Sequence, residues 1–189
     1  MMQPGFHDPV LDAQSGFRAV LEAMSRPGRV QALPPGLTPP APLQPATAAV
    51  LLTLADAETP VFSDAGTAAA EWLRFHAGCP LVASPAAATF LCVTGTPPAL
   101  EEIDLGTDEA PQDGATLVLQ VAALREGGAL RLSGPGIERE HRLHVEGLPE
   151  GFLAARAALA PLYPRGMDVI LCAGTRIAAL PRTTHVMEG

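Results

Sequence analysis

The most regular pattern of apolar and polar positions lies between residues 116 and 137. Residues 117–121 are apolar except for Gln120, which is typical of a strand buried on both faces. Residues 129–133 alternate between apolar and polar, which predicts a second strand with one buried face. Because the polar segment 125–128 between them ends in two glycines, the pattern predicts a hairpin with this segment as its loop.

A sharp turn is predicted where the second strand ends, at Gly134-Pro135-Gly136. Proline presets φ at the second position of a turn, and glycine accepts the positive φ of the third, as a type II turn requires. Such a turn after a core strand can be plain architecture or the edge of a binding site, and the pattern leaves both open.

The N-terminal part of the chain predicts a helix followed by an extended connection. Asp8 followed by Pro9 is a typical helix start, apolar residues at helical spacing follow, and Arg26-Pro27-Gly28 ends the helix. Residues 31–45 carry six prolines and predict a stiff, extended segment. Too few residues precede it to form a core of their own, so residues 1–189 are expected to be a single domain.

Two further helices and a short strand are predicted between residues 46 and 78. Residues 46–55 are apolar nearly all round, which predicts a buried helix. Val61 and Phe62 predict a short strand, and Asp64 is the predicted N-cap of the next helix. This helix ends at His76, which lies on its apolar face.

Strands and helices interleave in the rest of the chain. The pattern predicts strands at 88–93, 142–145, 167–172 and 177–180, a short acidic helix at 97–103, a helix at 152–159 and a tail at 181–184. We expect an α/β or α+β fold, in which helices cover a sheet that contains antiparallel pairs.

Composition excludes several classes of function. The net charge of −8 argues against general binding to nucleic acid or to an anionic membrane. All 12 basic residues are arginine, so the chain has no lysine for a pyridoxal phosphate Schiff base or a P-loop, and no cofactor is expected. The N-terminus does not resemble a signal peptide, and the three scattered cysteines indicate no disulfide framework. Cys92 and Cys172 are expected to be buried, and a reducing cytoplasm fits best.

The sequence contains none of the familiar catalytic motifs. It has no G-x-S-x-G, C-x-x-C or H-E-x-x-H motif and no glycine-rich dinucleotide fingerprint. His141 and His144 would lie on opposite faces of a strand, which argues against a metal site. The acidic residues between 101 and 113 match no calcium loop and predict a solvated face. We therefore predict no catalytic, cofactor-binding or metal-binding residue.

Arginines at predicted turns remain as candidates for contacts to an anion or to another subunit. The guanidinium group forks onto phosphate or phosphonate oxygens, but each arginine is equally well explained as an ion-pair partner. Arg26 can also compensate the C-terminal dipole of its helix, and His76 is more simply a hydrogen-bonded structural histidine than a catalytic one. The candidate contacts are Arg26, His76, Ser133, Arg165 and Arg182.

Five separated stretches together resemble one protein family. They are residues 17–28, which end in Ser25-Arg26-Pro27-Gly28, then Phe75-His76-Ala77-Gly78, 132–137, 163–168 and 180–184. In this order, and over nearly the whole chain, they resemble PhnH, the H subunit of the bacterial carbon–phosphorus lyase system for phosphonate use. Ala77 departs from the family pattern, in which a hydroxyl residue is expected, and an expected asparagine is missing before Tyr163.

The resemblance implies an α/β fold with a mixed sheet flanked by helices, related to the large domain of pyridoxal-phosphate-dependent transferases but reduced and without cofactor. It also implies a homodimer that joins the G, I and J subunits in a core complex. With the L subunit, this machinery transfers the ribose triphosphate of ATP to an alkylphosphonate, and the J subunit later breaks the carbon–phosphorus bond.

The resemblance assigns no catalytic residue to this chain, so the expected function is that of a non-catalytic or accessory subunit of the complex. Two alternatives remain open. One is a free-standing enzyme acting on a phosphorylated small molecule, with Arg26, Arg182 and His76 lining one pocket. The other is a binding module for a small phosphorylated ligand.

Overall fold

The computed structural model describes residues 2–189, which form four α-helices and nine strands joined by short 3-10 turns and loops. The helices are α1 Pro9–Ser25, α2 Pro45–Leu54, α3 Gly66–Ala77 and α4 Phe152–Ala157. The strands are β1 Gln31–Ala32, β2 Val61–Ser63, β3 Phe90–Val93, β4 Thr116–Gln120, β5 Ala123–Ser133, β6 His141–Glu146, β7 Asp168–Ala173, β8 Arg176–Leu180 and β9 His185–Glu188.

A six-stranded mixed sheet forms the centre of the molecule, in the order β1-β8-β7-β4-β3-β2. Strands β2, β3, β4 and β7 run parallel, while β8 and β1 are antiparallel to their neighbours. A smaller antiparallel sheet has the order β6-β5-β9. The predicted α/β class, with a mixed sheet flanked by helices, is confirmed.

The central sheet is buried on both faces because alternate residues of its strands enter two different cores. On one side, Val118 and Ile170 pack with α1, α2 and α3. On the other side, Leu117, Leu119 and Leu171 pack with the smaller sheet and α4. This explains why nearly every position of β4 and β7 is apolar, and why the sequence predicted their burial.

The predicted hairpin over residues 117–133 is wrong. β4 pairs in parallel with β3 and β7, and β5 continues through the predicted loop into the smaller sheet. Gly127 and Gly128 have positive φ values and lie where the register between β5 and β6 shifts. Glycines of this kind serve a β-bulge as well as a hairpin loop, and the choice depends on partner strands distant in the sequence.

Three smaller predictions are also corrected. Asp64 does not cap α3; its carboxylate accepts hydrogen bonds from the backbone N–H groups of Thr94 (2.7 Å) and Gly95 (3.1 Å). A short acidic side chain can satisfy a neighbouring loop as readily as its own helix. The predicted acidic helix is only the 3-10 turn Leu100–Glu102, and the chain after the predicted tail forms β9, which the sequence analysis missed.

The proline-rich segment 31–45 is anchored along the central sheet and the main core. Leu37 and Leu43 are buried in the core. The Gln44 backbone N–H donates to Gln120 Oε1 (2.6 Å), and Gln44 Oε1 accepts from the Gly174 N–H (2.7 Å). The segment is therefore held by β4, at the centre of the sheet, and by the turn that follows β7.

No helix within residues 2–189 combines the length and the apolar character needed to cross a membrane.

The thiols of Cys92 and Cys172 should be unreactive in the native protein. Both side chains are fully buried, and desolvation raises the pKa of Cys92 to about 12 and also raises the pKa of Cys172. Because the reactive thiolate is absent near neutral pH, we expect neither cysteine to be alkylated at pH 8 until denaturant is added. Mass spectrometry of each cysteine peptide measures this, and alkylation of either one in the folded protein would contradict the burial.

Candidate functional site

Four of the five family-like stretches meet in one region, which we call the motif junction. It consists of residues 25–28, 134–137, 163–168 and 180–184. The fifth stretch, at the end of α3, lies elsewhere and is described below. The junction is built from backbone contacts between loops and from two arginines that bind backbone carbonyls.

The predicted turn after β5 is present at the centre of the junction. The Ile137 N–H donates to the Gly134 carbonyl (3.1 Å), and Gly136 has a φ of 83°, as a type II turn requires. A Cβ atom on Gly136 would collide with the Ser25 carbonyl oxygen, and one on Gly134 would lie 2.8 Å from the Thr183 carbonyl oxygen. The turn thus touches two other parts of the junction through their backbones.

The loop after α1 is fixed by a second glycine that has no room for a side chain. Gly28 also has a φ of 83°, and a Cβ atom there would collide with the Leu132 side chain and lie 2.9 Å from His141 Cδ2. Its N–H donates to the carbonyl of Ala179 in β8 (3.1 Å). The loop therefore packs between the central sheet and the smaller sheet.

Arg182 connects two segments of the junction, 163–168 and 180–184, through a largely buried ion pair with Asp168. Their side chains are 15% and 19% exposed, Arg182 Nη2 lies 2.8 Å from Asp168 Oδ2, and the Arg182 backbone N–H donates to Asp168 Oδ1 (2.7 Å). Arg182 Nη1 donates to the carbonyls of Pro111 and Pro164. All three guanidinium nitrogens have partners within the protein, so this arginine has a structural role in the junction.

Arg156 on α4 is a second structural arginine, which the sequence analysis missed. It is 8% exposed, and it donates to the carbonyls of Thr184 (2.8 Å), Leu180 (3.3 Å) and Pro181. No carboxylate lies within ion-pair distance of it in residues 2–189, and burial lowers its pKa from the usual arginine value. The sequence did hold a signal for the burial of Arg156. Arg156 lies four positions after Phe152, so both side chains are on the same face of the helix.

Two other predicted contacts, Arg165 and Arg26, form ion pairs at the surface. Arg165 Nε lies 3.1 Å from Asp108 Oδ1, and Arg26 Nη1 lies 3.2 Å from Glu22 Oε1. Arg26 also ends α1, because its backbone N–H donates to the Glu22 carbonyl.

His76 binds the N-terminal segment of the chain. Its Nε2 lies 3.0 Å from the Gln3 carbonyl oxygen, which also accepts from Trp72 Nε1 (2.8 Å). Because that oxygen is an acceptor, His76 Nε2 carries a proton here and acts as a donor. The contact gives His76 a structural role at the end of α3.

The structure brings together some of the predicted contacts and separates others. Ser133 and Arg182 line one cavity of about 470 Å³. Arg182 also lines a smaller cavity with Arg165. Arg26 faces a different cavity, and His76 lines none of these three. Arg26, Arg182 and His76 therefore share none of these three cavities. The free-standing enzyme interpretation requires them to line one pocket, so these cavities do not support it.

The described residues form neither a hydrogen-bonded serine–histidine pair at Ser133 nor a metal cluster. Ser133 and His185 face each other across β5 and β9, but no side-chain hydrogen bond between them is present in residues 2–189. A serine nucleophile needs such a base. Residues 2–189 also contain no group of three or more His, Cys, Asp or Glu side chains placed to hold a metal ion.

The chain matches a known protein family over nearly its whole length. A family model described as "Bacterial phosphonate metabolism protein (PhnH)" matches residues 4–187. The chain belongs to the PhnH family. The resemblance inferred from five short stretches is thereby confirmed over nearly the whole sequence.

Two curated relatives agree with the PhnH assignment. The chain is 38% identical over 186 residues to the alpha-D-ribose 1-methylphosphonate 5-triphosphate synthase subunit PhnH of Rhizobium meliloti, covering 96% of this chain and 93% of that protein. It is 36% identical over 173 residues to the putative C-P lyase subunit protein HtxG of Stutzerimonas stutzeri, covering 92% of this chain and 85% of that protein.

Replacing Gly136 should destabilise the junction. In Gly136→Ala, the methyl group collides with the Ser25 carbonyl, and the residue must keep a positive φ, so we expect a loss of about 2–4 kcal/mol in unfolding free energy. Gly66→Ala is the matched control, because Gly66 has a φ of 81° with no atom near its Cβ position, and it should lose about 1 kcal/mol. Urea unfolding measures both, and equal losses would refute the backbone contact.

Breaking the ion pair between Arg182 and Asp168 should also destabilise the protein. Asp168→Asn leaves a largely buried guanidinium without its carboxylate, so we expect a loss of about 2–4 kcal/mol. Glu22→Gln breaks the exposed pair with Arg26 and should lose about 0.5 kcal/mol or less. If urea unfolding gave similar small losses of unfolding free energy for both variants, the ion pair of Arg182 would not be a main source of stability for the junction.

Proposed function

We propose that this chain is a non-catalytic or accessory subunit of the carbon–phosphorus lyase core complex. In this role it is needed, with the G, I and L subunits, for transfer of ribose 5-triphosphate from ATP to an alkylphosphonate. It forms a homodimer and binds the G, I and J subunits. Membership of the PhnH family supports this, as do the names of both relatives, which describe subunits of larger enzymes.

The structural observation that carries the proposal is an exposed apolar ridge on α1, formed by Val10, Phe17 and Leu21. These side chains are 76%, 52% and 56% exposed. Their spacing of seven and four residues places them on one helix face, whereas Val20 and Ala23 face the core. Large apolar side chains aligned on one helix face and left open to solvent are typical of a surface that another protein covers.

The arrangement of polar groups supports an accessory rather than a catalytic role. Arg165 and Arg182 pair with carboxylates, and Arg156 binds backbone carbonyls. These groups are bonded within the fold and hold the segments of the junction together. A junction held in this way beside an exposed apolar helix is suited to presenting a docking surface to other subunits.

We also propose that the fold is related to the large domain of pyridoxal-phosphate-dependent transferases, in reduced form and without the cofactor, and that the protein acts in the cytoplasm. The absence of lysine supports the lack of cofactor, because the Schiff base needs a lysine amine. The three cysteines are free and buried, as expected in a reducing compartment.

Co-purification tests the accessory role. We expect the tagged full-length chain, co-expressed with the G, I and J subunits, to recover them and to sediment as a dimer when purified alone. Phe17→Ser combined with Leu21→Ser should weaken dimer or subunit binding about tenfold, because a buried apolar anchor is lost. The control is Met187→Ser, which removes a 53% exposed apolar side chain from β9, away from α1.

The outcomes of this experiment separate the alternatives. A wild-type chain that never associates with the other subunits would refute the accessory role. Normal association of the double variant would show that the α1 ridge is not the docking surface. Turnover of ATP and methylphosphonate by the isolated chain would favour the free-standing enzyme.

A further inference from the structure

A cavity of about 510 Å³ lies between the loop after α1 and the segment that leads from the turn to β6. We call it the arginine cleft, because Arg26, Arg29 and Arg139 line it together with His141. The first two arginines come from one wall and Arg139 comes from the other. Three cations that converge on one cavity contrast with the net charge of −8 on the whole chain.

Two of these arginines are free to bind a ligand. Within residues 2–189, neither Arg29 nor Arg139 has a carboxylate oxygen within ion-pair distance, and both residues are exposed. Arg26 pairs with Glu22, but the two side chains are 58% and 39% exposed, so this pair contributes little and can be exchanged for a stronger anion.

The acidic residues of the cleft do not cancel these charges. Glu140 accepts from Arg131 Nε (2.8 Å) and Arg142 Nε (3.1 Å). The hydrogen bond from Arg131 is the main cause that lowers the pKa of Glu140, so it stays anionic with its charge offset by two arginines outside the cavity lining. Glu138 is then the remaining carboxylate of the lining, against Arg29 and Arg139, which have no carboxylate partner in the described part of the chain.

Both walls of the cleft are held in place by the motif junction. Gly28 and Gly136 bring the two loops so close that neither has room for a Cβ atom. His141, the first residue of β6, keeps its Nε2 without a hydrogen bond, 3.9 Å from the nearest carboxylate oxygen, Glu126 Oε2. Fixed walls lower the entropy lost on binding, so the arginines need only adjust their own side chains.

We propose that the arginine cleft binds a small phosphate-bearing anion, a polyphosphate or a phosphate ester with at least two negative charges, through Arg29 and Arg139. Guanidinium groups pair with phosphate oxygens in bidentate geometry, and convergent arginines fit an anion that presents several such oxygens. An extended polyanion such as nucleic acid is disfavoured, since the chain as a whole carries a net charge of −8. The cleft is a separate surface from the α1 ridge, so this binding does not depend on the accessory role.

Titration calorimetry on the purified full-length chain tests the site with inorganic phosphate, inorganic triphosphate and ATP as separate probes. We expect one triphosphate per chain, with affinity that falls as salt is added. Tighter binding of ATP than of triphosphate would identify a nucleotide as the ligand, and equal binding would identify the polyphosphate group alone. Absence of binding by all three probes at millimolar concentration would overturn the proposal.

Variants assign the binding to the cleft. Arg29→Ala and Arg139→Ala should each weaken triphosphate binding about tenfold, since each removes charge-assisted hydrogen bonds from an exposed position. Arg74→Ala, on the exposed side of α3, removes the same charge elsewhere and should leave the affinity unchanged. An equal loss in Arg74→Ala would mean that net charge alone attracts the anion, and would refute the site. Thermal unfolding of each variant verifies that it is folded.

Discussion

The ion pair between Arg182 and Asp168 is the constraint on which the functional region depends. It fixes the chain directly after β8 to the start of β7, while Arg156 binds the carbonyls of the same segment from α4. With that segment held, β9 lies alongside β5, and the turn at Gly134 meets Thr183. The smaller sheet and the central sheet are thereby joined through buried polar contacts as well as through their common core.

The arginines of this chain divide into two groups with different physical roles. Arg156 is buried and Arg182 is largely buried, and their partners are backbone carbonyls or the largely buried carboxylate of Asp168. Arg29 and Arg139 are exposed and line a cavity. Because a buried guanidinium without partners is costly, the arginines of the first group are bonded within the fold and stabilise it. The second group keeps its donors for solvent or a ligand, which is the condition for binding an anion.

Local signals predicted those elements whose conformation local chemistry dictates. The Asp8-Pro9 start of α1, the apolar helix α2 and the buried strands β4 and β7 follow from capping preference and from burial on all sides. The turn at Gly134-Pro135-Gly136 follows from the φ preferences of proline and glycine. Family membership also followed from short stretches, since four of the five form the motif junction and are constrained by contacts with one another.

Tertiary structure decided the pairing of strands and the grouping of charged side chains. The glycines at 127 and 128 suit a hairpin loop or a bulge equally well, and only the competition between β3, β7 and β6 for partners selects the bulge. Likewise, the sequence identifies Arg26 and Arg182 as arginines at turns, but it cannot say that one borders an open cavity while the other meets Asp168. The sequence alone therefore determined the family, the fold class and the elements with strong local preferences. The contacts between distant segments, which depend on how the whole chain packs, decided which polar groups are used for structure and which remain free to bind.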